Sequence, residues 1–361
     1  MSSLNKTSLY KKHIELKAKI LPFAGYMMPI NYPKGIQFEY DCVRNDVGLF
    51  DVSHMGQIKI TGIKSINFIK KISVNNVDNL KPGDAQYTAI CNADGGIIDD
   101  VILYKFSNYE FMFVVNGANR DKVYKWMQNH NVFDCSLNDQ TFKSSLIAIQ
   151  GPNSRKHLEK LFQKEINLSF YTHNYFSINS DKVLLSRTGY TGELGFELLG
   201  ESSLINYIWN YFVKEGINPC GLAVRDVLRM EMKYCLYGND INEDTSPIEA
   251  GLGWIVKNKD DYIGKEKIDN DKNNGISKKL LCIKMIDKCI PRTGYNVLYE
   301  NSLIGEVVSG TFSIKLNSGI ALAYISSDFD VSNYISIEIR GKEYKGKIVT
   351  PPFLKNTSLH S

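Results

Sequence analysis

The stretch Asn92-Ala-Asp-Gly-Gly-Ile-Ile-Asp-Asp-Val-Ile-Leu-Tyr104 decides how the rest of the chain is read. Asp94-Gly95-Gly96 is strong hairpin chemistry, because glycine accepts the positive φ that a tight turn needs. An apolar run over residues 87–91 precedes the turn, and a strand follows it. Side chains alternate along a strand, so Ile98, Asp100, Ile102 and Tyr104 share one face and Asp99, Val101 and Leu103 the other. One carboxylate therefore points where apolar residues point. A charge there is costly unless a partner or a ligand meets it. The plain alternative has one Asp closing the turn and the other solvated.

Upstream of the hairpin, residues 8–19 read as a short helix. Pro22-Phe-Ala-Gly-Tyr-Met-Met-Pro29 reads as a packed loop, because Pro and Gly interrupt it. Helical spacing covers 36–47 and 66–72, and alternation over 55–62 predicts a strand. Downstream, a strand over 110–115 ends at Asn116-Gly-Ala-Asn119, and a helix follows with Val123, Trp126 and Met127 on one face. A strand over 145–150 leads to a helix carrying Leu158, Leu161 and Phe162. Thr188-Gly-Tyr-Thr-Gly-Glu-Leu-Gly195 reads as a tight turn between strands 183–187 and 196–199. Helices over 204–213 and 221–234 come next, the second setting Arg225, Leu228, Arg229 and Met232 on neighbouring turns. The polar stretch 257–279 suggests a domain boundary. Beyond it, short strands over 280–285, 303–308, 320–325 and 335–339, with a hairpin turn at Arg340-Gly-Lys-Glu343, suggest a small β-barrel or sandwich.

At 361 residues the chain exceeds one ordinary core, so two or three domains are expected. A net charge of +4 is too small to argue for nucleic acid. Lysine outnumbers arginine, which makes each arginine worth inspecting, because its fixed fork suits carboxylate recognition. The seven cysteines show no C-x-x-C spacing, which reads as a reduced intracellular chain. No apolar signal core opens the sequence and no run is long enough to span a bilayer, so cytoplasm is the default; a processed organellar protein reads the same.

The six histidines are scattered, with no H-E-x-x-H and no Cys/His cluster, so no metal is expected. His54 reads as a satisfied structural histidine ahead of a ligand or base. Residues 188–195 are glycine-rich but do not match a phosphate-binding loop, and no G-x-S-x-G elbow exists. What remains is Asp100, Tyr104, Asn116, Tyr190, Glu197 and Arg225, at strand ends and turns. Each has a simple explanation alone: Asn116 caps a helix, Tyr190 fills a turn, Glu197 pairs with Arg225 at the surface. Such surface pairs contribute roughly 0–1 kcal/mol. Together the six suit a flat, nitrogen-rich heterocycle, since carboxylates accept N–H donors and aromatic rings flank a planar ligand.

At these residues the sequence resembles the aminomethyltransferase (T protein) family of the glycine cleavage system, over nearly its whole length. The stretches that carry the resemblance include Phe23-Ala-Gly25 with Met28-Pro29, Gly48-Leu-Phe-Asp-Val-Ser-His-Met-Gly56, Gly95-Gly-Ile-Ile-Asp-Asp100, Arg187-Thr-Gly-Tyr-Thr-Gly-Glu193, Gly221-Leu-Ala-Val-Arg-Asp226 and Leu236-Tyr-Gly-Asn-Asp240. The resemblance implies an α+β fold: two interlocked α+β subdomains around a central folate pocket, plus a C-terminal β-barrel. On that reading residues 1–270 form the catalytic region and 271–361 the barrel. The implied reaction moves the methylene carbon from the aminomethyl-lipoyl arm of a partner H protein to tetrahydrofolate, as co-substrate, and releases ammonia. No metal, nucleic acid or membrane enters that reaction.

Carried over by position, Asp100 matches the family's catalytic aspartate, and Glu197 and Arg225 match folate contacts. Tyr87, Tyr104, Asn116, Tyr190 and Met55 fall at pocket positions, and Arg292 is a candidate contact for the partner or its lipoyl arm. Tyr26, Tyr40, Ser313-Ile314 and Ser358 depart from the usual pattern; the last stands where a tail Tyr commonly contacts the ligand. Two rivals share this signature: a tetrahydrofolate-dependent demethylase of the same superfamily acting on dimethylglycine or dimethylsulfoniopropionate, and a non-catalytic folate-binding protein of iron–sulfur assembly. The second carries a Lys-Gly-Cys-Tyr segment, which Lys233-Tyr-Cys-Leu-Tyr237 matches only superficially.

Overall fold

The computed structural model describes residues 4–329 and 334–361. Strands Ala85–Cys91 and Ile97–Lys105 form the expected antiparallel hairpin. Asn92, rather than Asp94, ties the turn: its Oδ1 accepts the Gly96 N–H at 2.9 Å. Gly95 has φ +79°, and a Cβ on Gly96 would meet the Glu243 carbonyl oxygen at 1.6 Å, so both glycines are required. The two strands sit at one side of a five-stranded antiparallel sheet that continues through Glu110–Val115, Gly56–Thr61 and Ser136–Asp139. One face packs Val101, Leu103, Phe111 and Phe113 against helices Ser65–Ile72 and Arg120–His130 through Phe68, Ile69, Val123 and Met127. Each such large buried side chain contributes roughly 1.5–3 kcal/mol. A register shift at Ile90/Cys91 turns Ile98 into this core, not toward Asp100 as strict alternation predicts.

A second sheet of six strands runs His173–Ile178, Asp181–Ser186, Gly195–Glu201, Ser144–Gln150, Gly48–Asp51 and Asn218–Pro219. Helices Ser154–Phe162 and Ser202–Lys214 cover its outer face with Leu158, Ile205, Ile208, Trp209 and Phe212. The inner faces of the two sheets share a core: Tyr104, Met112 and Val114 from the first, Phe50, Ala148 and Leu184 from the second. Val224 and Leu228 of helix Leu222–Glu231 complete it. The C-terminal strands close into a six-stranded antiparallel barrel, Lys278–Met285, Ser318–Ser326, Ser302–Ser313, Asn296–Tyr299, Tyr334–Ile339 and Lys342–Val349. The expected α+β class and C-terminal barrel are therefore both present.

Three local expectations change. Residues 22–29 lie in a two-stranded ribbon, Lys19–Phe23 with Tyr26–Asn31, not a loop. Pro22 and Pro29 are tolerated because a two-strand ribbon leaves every second N–H unpaired. The polar stretch 257–279 contains a helix, Lys265–Asn274, held by Lys–Asp pairs four residues apart (Lys265 with Asp269, Lys267 with Asp271). Residues 188–194 form a folded loop between two paired strands, not a tight turn.

Arg229, 2% exposed, joins the helix Leu222–Glu231 to the barrel. It donates to Asp226 Oδ1 at 2.8 Å, Asp240 Oδ2 at 2.5 Å, the Tyr234 carbonyl at 3.1 Å and Ser309 Oγ at 2.9 Å. Removing it strands the Asp240 carboxylate in the interior. Arg229→Leu is expected to lower unfolding free energy by about 3–5 kcal/mol in urea titrations. A loss under about 1 kcal/mol would show the pair to be dispensable.

Candidate active site

The two acids of the hairpin go to opposite faces. Asp99 is fully buried. Its carboxylate accepts the Asn116 backbone N–H at 3.0 Å, Asn116 Nδ2 at 2.8 Å and Asn119 Nδ2 at 2.6 Å. Asp100 is half-buried and accepts the Tyr87 hydroxyl at 3.0 Å and Asn116 Nδ2 at 2.9 Å. One asparagine thus holds both carboxylates. Neither acid closes the turn, and the Asn116 side chain makes no helix-capping bond, so the simple explanations of both fail. Burial raises both carboxyls above the ordinary 3.8. For Asp99 the neighbouring Asp100 charge adds to the rise and the N–H donors oppose it. For Asp100, bonds from Tyr87 and Asn116 oppose it.

A second cluster forms around Glu197 on strand Gly195–Glu201. The half-buried Glu197 accepts the Thr188 hydroxyl, and Thr188 lies 2.9 Å from Ser186 Oγ and 3.4 Å from the Tyr104 hydroxyl. Burial raises the Glu197 carboxyl. Arg225 does not pair with it at the surface. Its guanidinium lies 4.3 Å from the centre of the Tyr190 ring, and it makes no hydrogen bond or ion pair among the described residues. Tyr190 stacks on Tyr234 at 5.7 Å and donates its hydroxyl to the Cys235 carbonyl. Tyr104, on the same strand as Asp100, reaches Thr188, which donates to Glu197, so the two clusters are linked side by side.

His54 is buried against Phe23 and Tyr26, edge to face, and its Nδ1 has no partner among the described residues. It is therefore not the satisfied histidine the sequence suggests. Burial, then the Arg225 charge, pull its pKa down to about 4, so the ring is neutral at pH 7. Met55 is half-buried against the core shared by the two sheets. Arg292 stands exposed on the barrel and donates to the Gly310 carbonyl at 3.4 Å. Four residues of the cluster escape notice in the sequence: Asn119, Thr188, Tyr234 and Trp254. Trp254 is 62% exposed and stacks on Tyr87 at 5.9 Å, so it covers the ring that holds Asp100. Only its place in Gly251-Leu-Gly-Trp254, a glycine-flanked exposed aromatic, could have drawn attention to it.

The arrangement offers two raised carboxyls as acceptors, one unpaired guanidinium as donor, and the faces of Tyr190, Tyr234, Tyr87 and Trp254. Among the described residues no group of three or more His, Cys, Asp or Glu is placed to hold a metal ion. Among the same residues no helix is long and apolar enough to cross a membrane.

Comparison with known proteins shows the family of the chain. The GCVT N-terminal domain matches residues 9–260, and the glycine cleavage T-protein C-terminal barrel domain matches residues 278–355. An aminomethyltransferase of Thermosipho melanesiensis is 41% identical over 354 residues, covering 97% of each chain. One from Bacillus velezensis is 41% identical over 363 residues, covering 98% of each. The crystal structure of the glycine cleavage system aminomethyltransferase T from Bartonella henselae superposes with a TM-score of 0.93 at 29% identity. That superposition covers 98% of this chain and 99% of the other. The chain belongs to the glycine cleavage T-protein family of aminomethyltransferases.

Proposed function

We propose that this aminomethyltransferase transfers the methylene carbon of an aminomethyl group, carried on the lipoyl arm of an H protein, to tetrahydrofolate, with release of ammonia. The observation that carries the reading is Asp100, raised by burial yet held at both oxygens by Tyr87 and Asn116. A carboxylate fixed at two points is preorganised to aim a ligand and to offset positive charge that develops during transfer. Bound tetrahydrofolate supplies the nitrogen that accepts the carbon. The residues present fit such a ligand: among the described residues Arg225 has free donors, the Glu197 carboxylate would accept ligand N–H groups, and Tyr190 and Trp254 present aromatic faces. Met55 and Tyr104 line the inner wall, and Arg292 on the barrel is assigned to the partner's side. Positioning of this kind supplies up to ~7–11 kcal/mol of a barrier.

Asp100→Asn is expected to collapse turnover with little loss of folate affinity, read by single-turnover assay and by titration; near-normal turnover refutes the role. Glu197→Ala is expected to weaken tetrahydrofolate binding, and unchanged affinity removes Glu197 from the site. Offering aminomethylated H protein beside a sulfonium or N-methyl donor tests the donor: turnover of the second alone assigns the chain to the rival demethylases.

The raised Asp100 carboxyl also sets a pH signature in stability. Above 3.8 the unfolded carboxyl ionises while the folded one keeps its proton longer, so the folded state loses stability as pH rises through that window. Asn cannot ionise. Removing the Asp100 charge also lowers the neighbouring Asp99 carboxyl, so the unfolding free energy of Asp100→Asn relative to the parent is expected to improve as pH rises from 5 to 8. A difference that is flat with pH would show that the site imposes no such penalty.

A further inference from the structure

The loop 188–194 carries both Thr188 and Tyr190 into the site, and the C-terminal tail holds it at both ends. At its entry, Arg187 Nη2 donates to the carbonyl oxygens of Ser361 at 2.6 Å and Leu359 at 3.3 Å. At its exit, the Glu193 Oε2 accepts both the backbone N–H of Ser358, at 2.8 Å, and its hydroxyl, at 2.6 Å. The same Ser358 Oγ accepts the Leu194 N–H at 2.9 Å. The other oxygen of Glu193 accepts Arg44 Nη1 at 2.9 Å, and that nitrogen also reaches the Thr191 carbonyl at 2.7 Å. Glu193 is 5% exposed, so its charge is compensated almost wholly by Arg44 and the tail. None of the residues of this clasp belongs to the ligand-facing set described above.

We propose that Ser358 and Glu193 are positioning residues, through which the tail fixes the loop and so sets affinity for the folate ligand. The inference rests on the functional reading above for its ligand, while the clasp itself is independent of any ligand. With the exit end released, Tyr190 is still held through its Cys235 bond, its Tyr234 stack and the neighbouring Thr191–Gln150 bond, but it more often leaves the orientation that presents its ring to Arg225. Each such departure lowers the fraction of chains competent to bind, and the measured affinity falls in proportion. Chemistry in the bound complex is untouched, because Asp100 is held by Tyr87 and Asn116, on the other sheet.

The test uses the full chain, with Ser358→Ala to remove the hydroxyl and Ser358→Thr to restore it. Ser358→Ala should raise the tetrahydrofolate dissociation constant about tenfold, the effect of losing one charge-assisted bond, with kcat at saturation within twofold. Hydrogen exchange in the ligand-free protein should speed up about tenfold in peptides covering 188–194 but not in the barrel. Ser358→Thr should return both. Unchanged exchange in 188–194 overturns the clasp. Faster exchange with unchanged affinity overturns its link to the site. A loss of kcat equal to the loss of affinity, or a uniform rise in exchange across the chain, overturns it in favour of a purely structural tail. If the parent chain itself fails to bind tetrahydrofolate, the functional reading falls, and exchange alone then decides the clasp.

Discussion

Two consecutive acids on one strand cannot face the same way, and the centre of this molecule is arranged around that rule. Asp99 enters the core and Asp100 faces the proposed site. Both need donors, and one residue supplies most of them. Antiparallel pairing sets Ile102 opposite Val114, so the same register, carried two residues on, brings Asn116 opposite Asp100. From there the Asn116 side chain reaches both carboxylates. A slip of one residue would turn Asn116 to the other face and leave a buried carboxylate short of donors. Sheet register and the chemistry of the proposed site are thus one constraint.

That constraint also explains what could be read from the residues alone. The hairpin, the alternating strand at 56–61, the apolar strand at 144–150 and the barrel strands carry their periodicity in the sequence, and each is present. Asp100, Tyr87 and Asn116 were reachable by alternation, by turn chemistry and by the family resemblance, and they meet. The ribbon at 19–31 was not legible, because proline argues against a strand unless the strand is known to lie at an edge. The helix at 265–274 was hidden by its polarity; only Ile268 and Asp271 are buried, too few to mark a face. Thr188 and Trp254 were invisible for a different reason. Their roles depend on Glu197 and Tyr87, which are distant in the chain and adjacent only after folding.

Two arginines one turn apart on helix Leu222–Glu231 show where the molecule is complete and where it is not. Arg229 has a partner for every nitrogen, in Asp226, Asp240, Tyr234 and Ser309. The adjacent Glu231, also fully buried, accepts Arg44, Tyr40 and Ser313. Arg225, on the same helix and drawn down by burial, has only an aromatic face among the described residues. Beside it His54 keeps an unpartnered nitrogen. The nitrogens of Arg229 and the oxygens of Glu231 are all bonded, so the other buried charges of the same helix have partners. A buried ring nitrogen left without a partner, like that of His54, costs about 1–3 kcal/mol. Arg225 and His54 thus leave hydrogen-bonding capacity open at the proposed site. Open polar groups ringed by aromatic faces and raised carboxyls are what a planar polar ligand would complete.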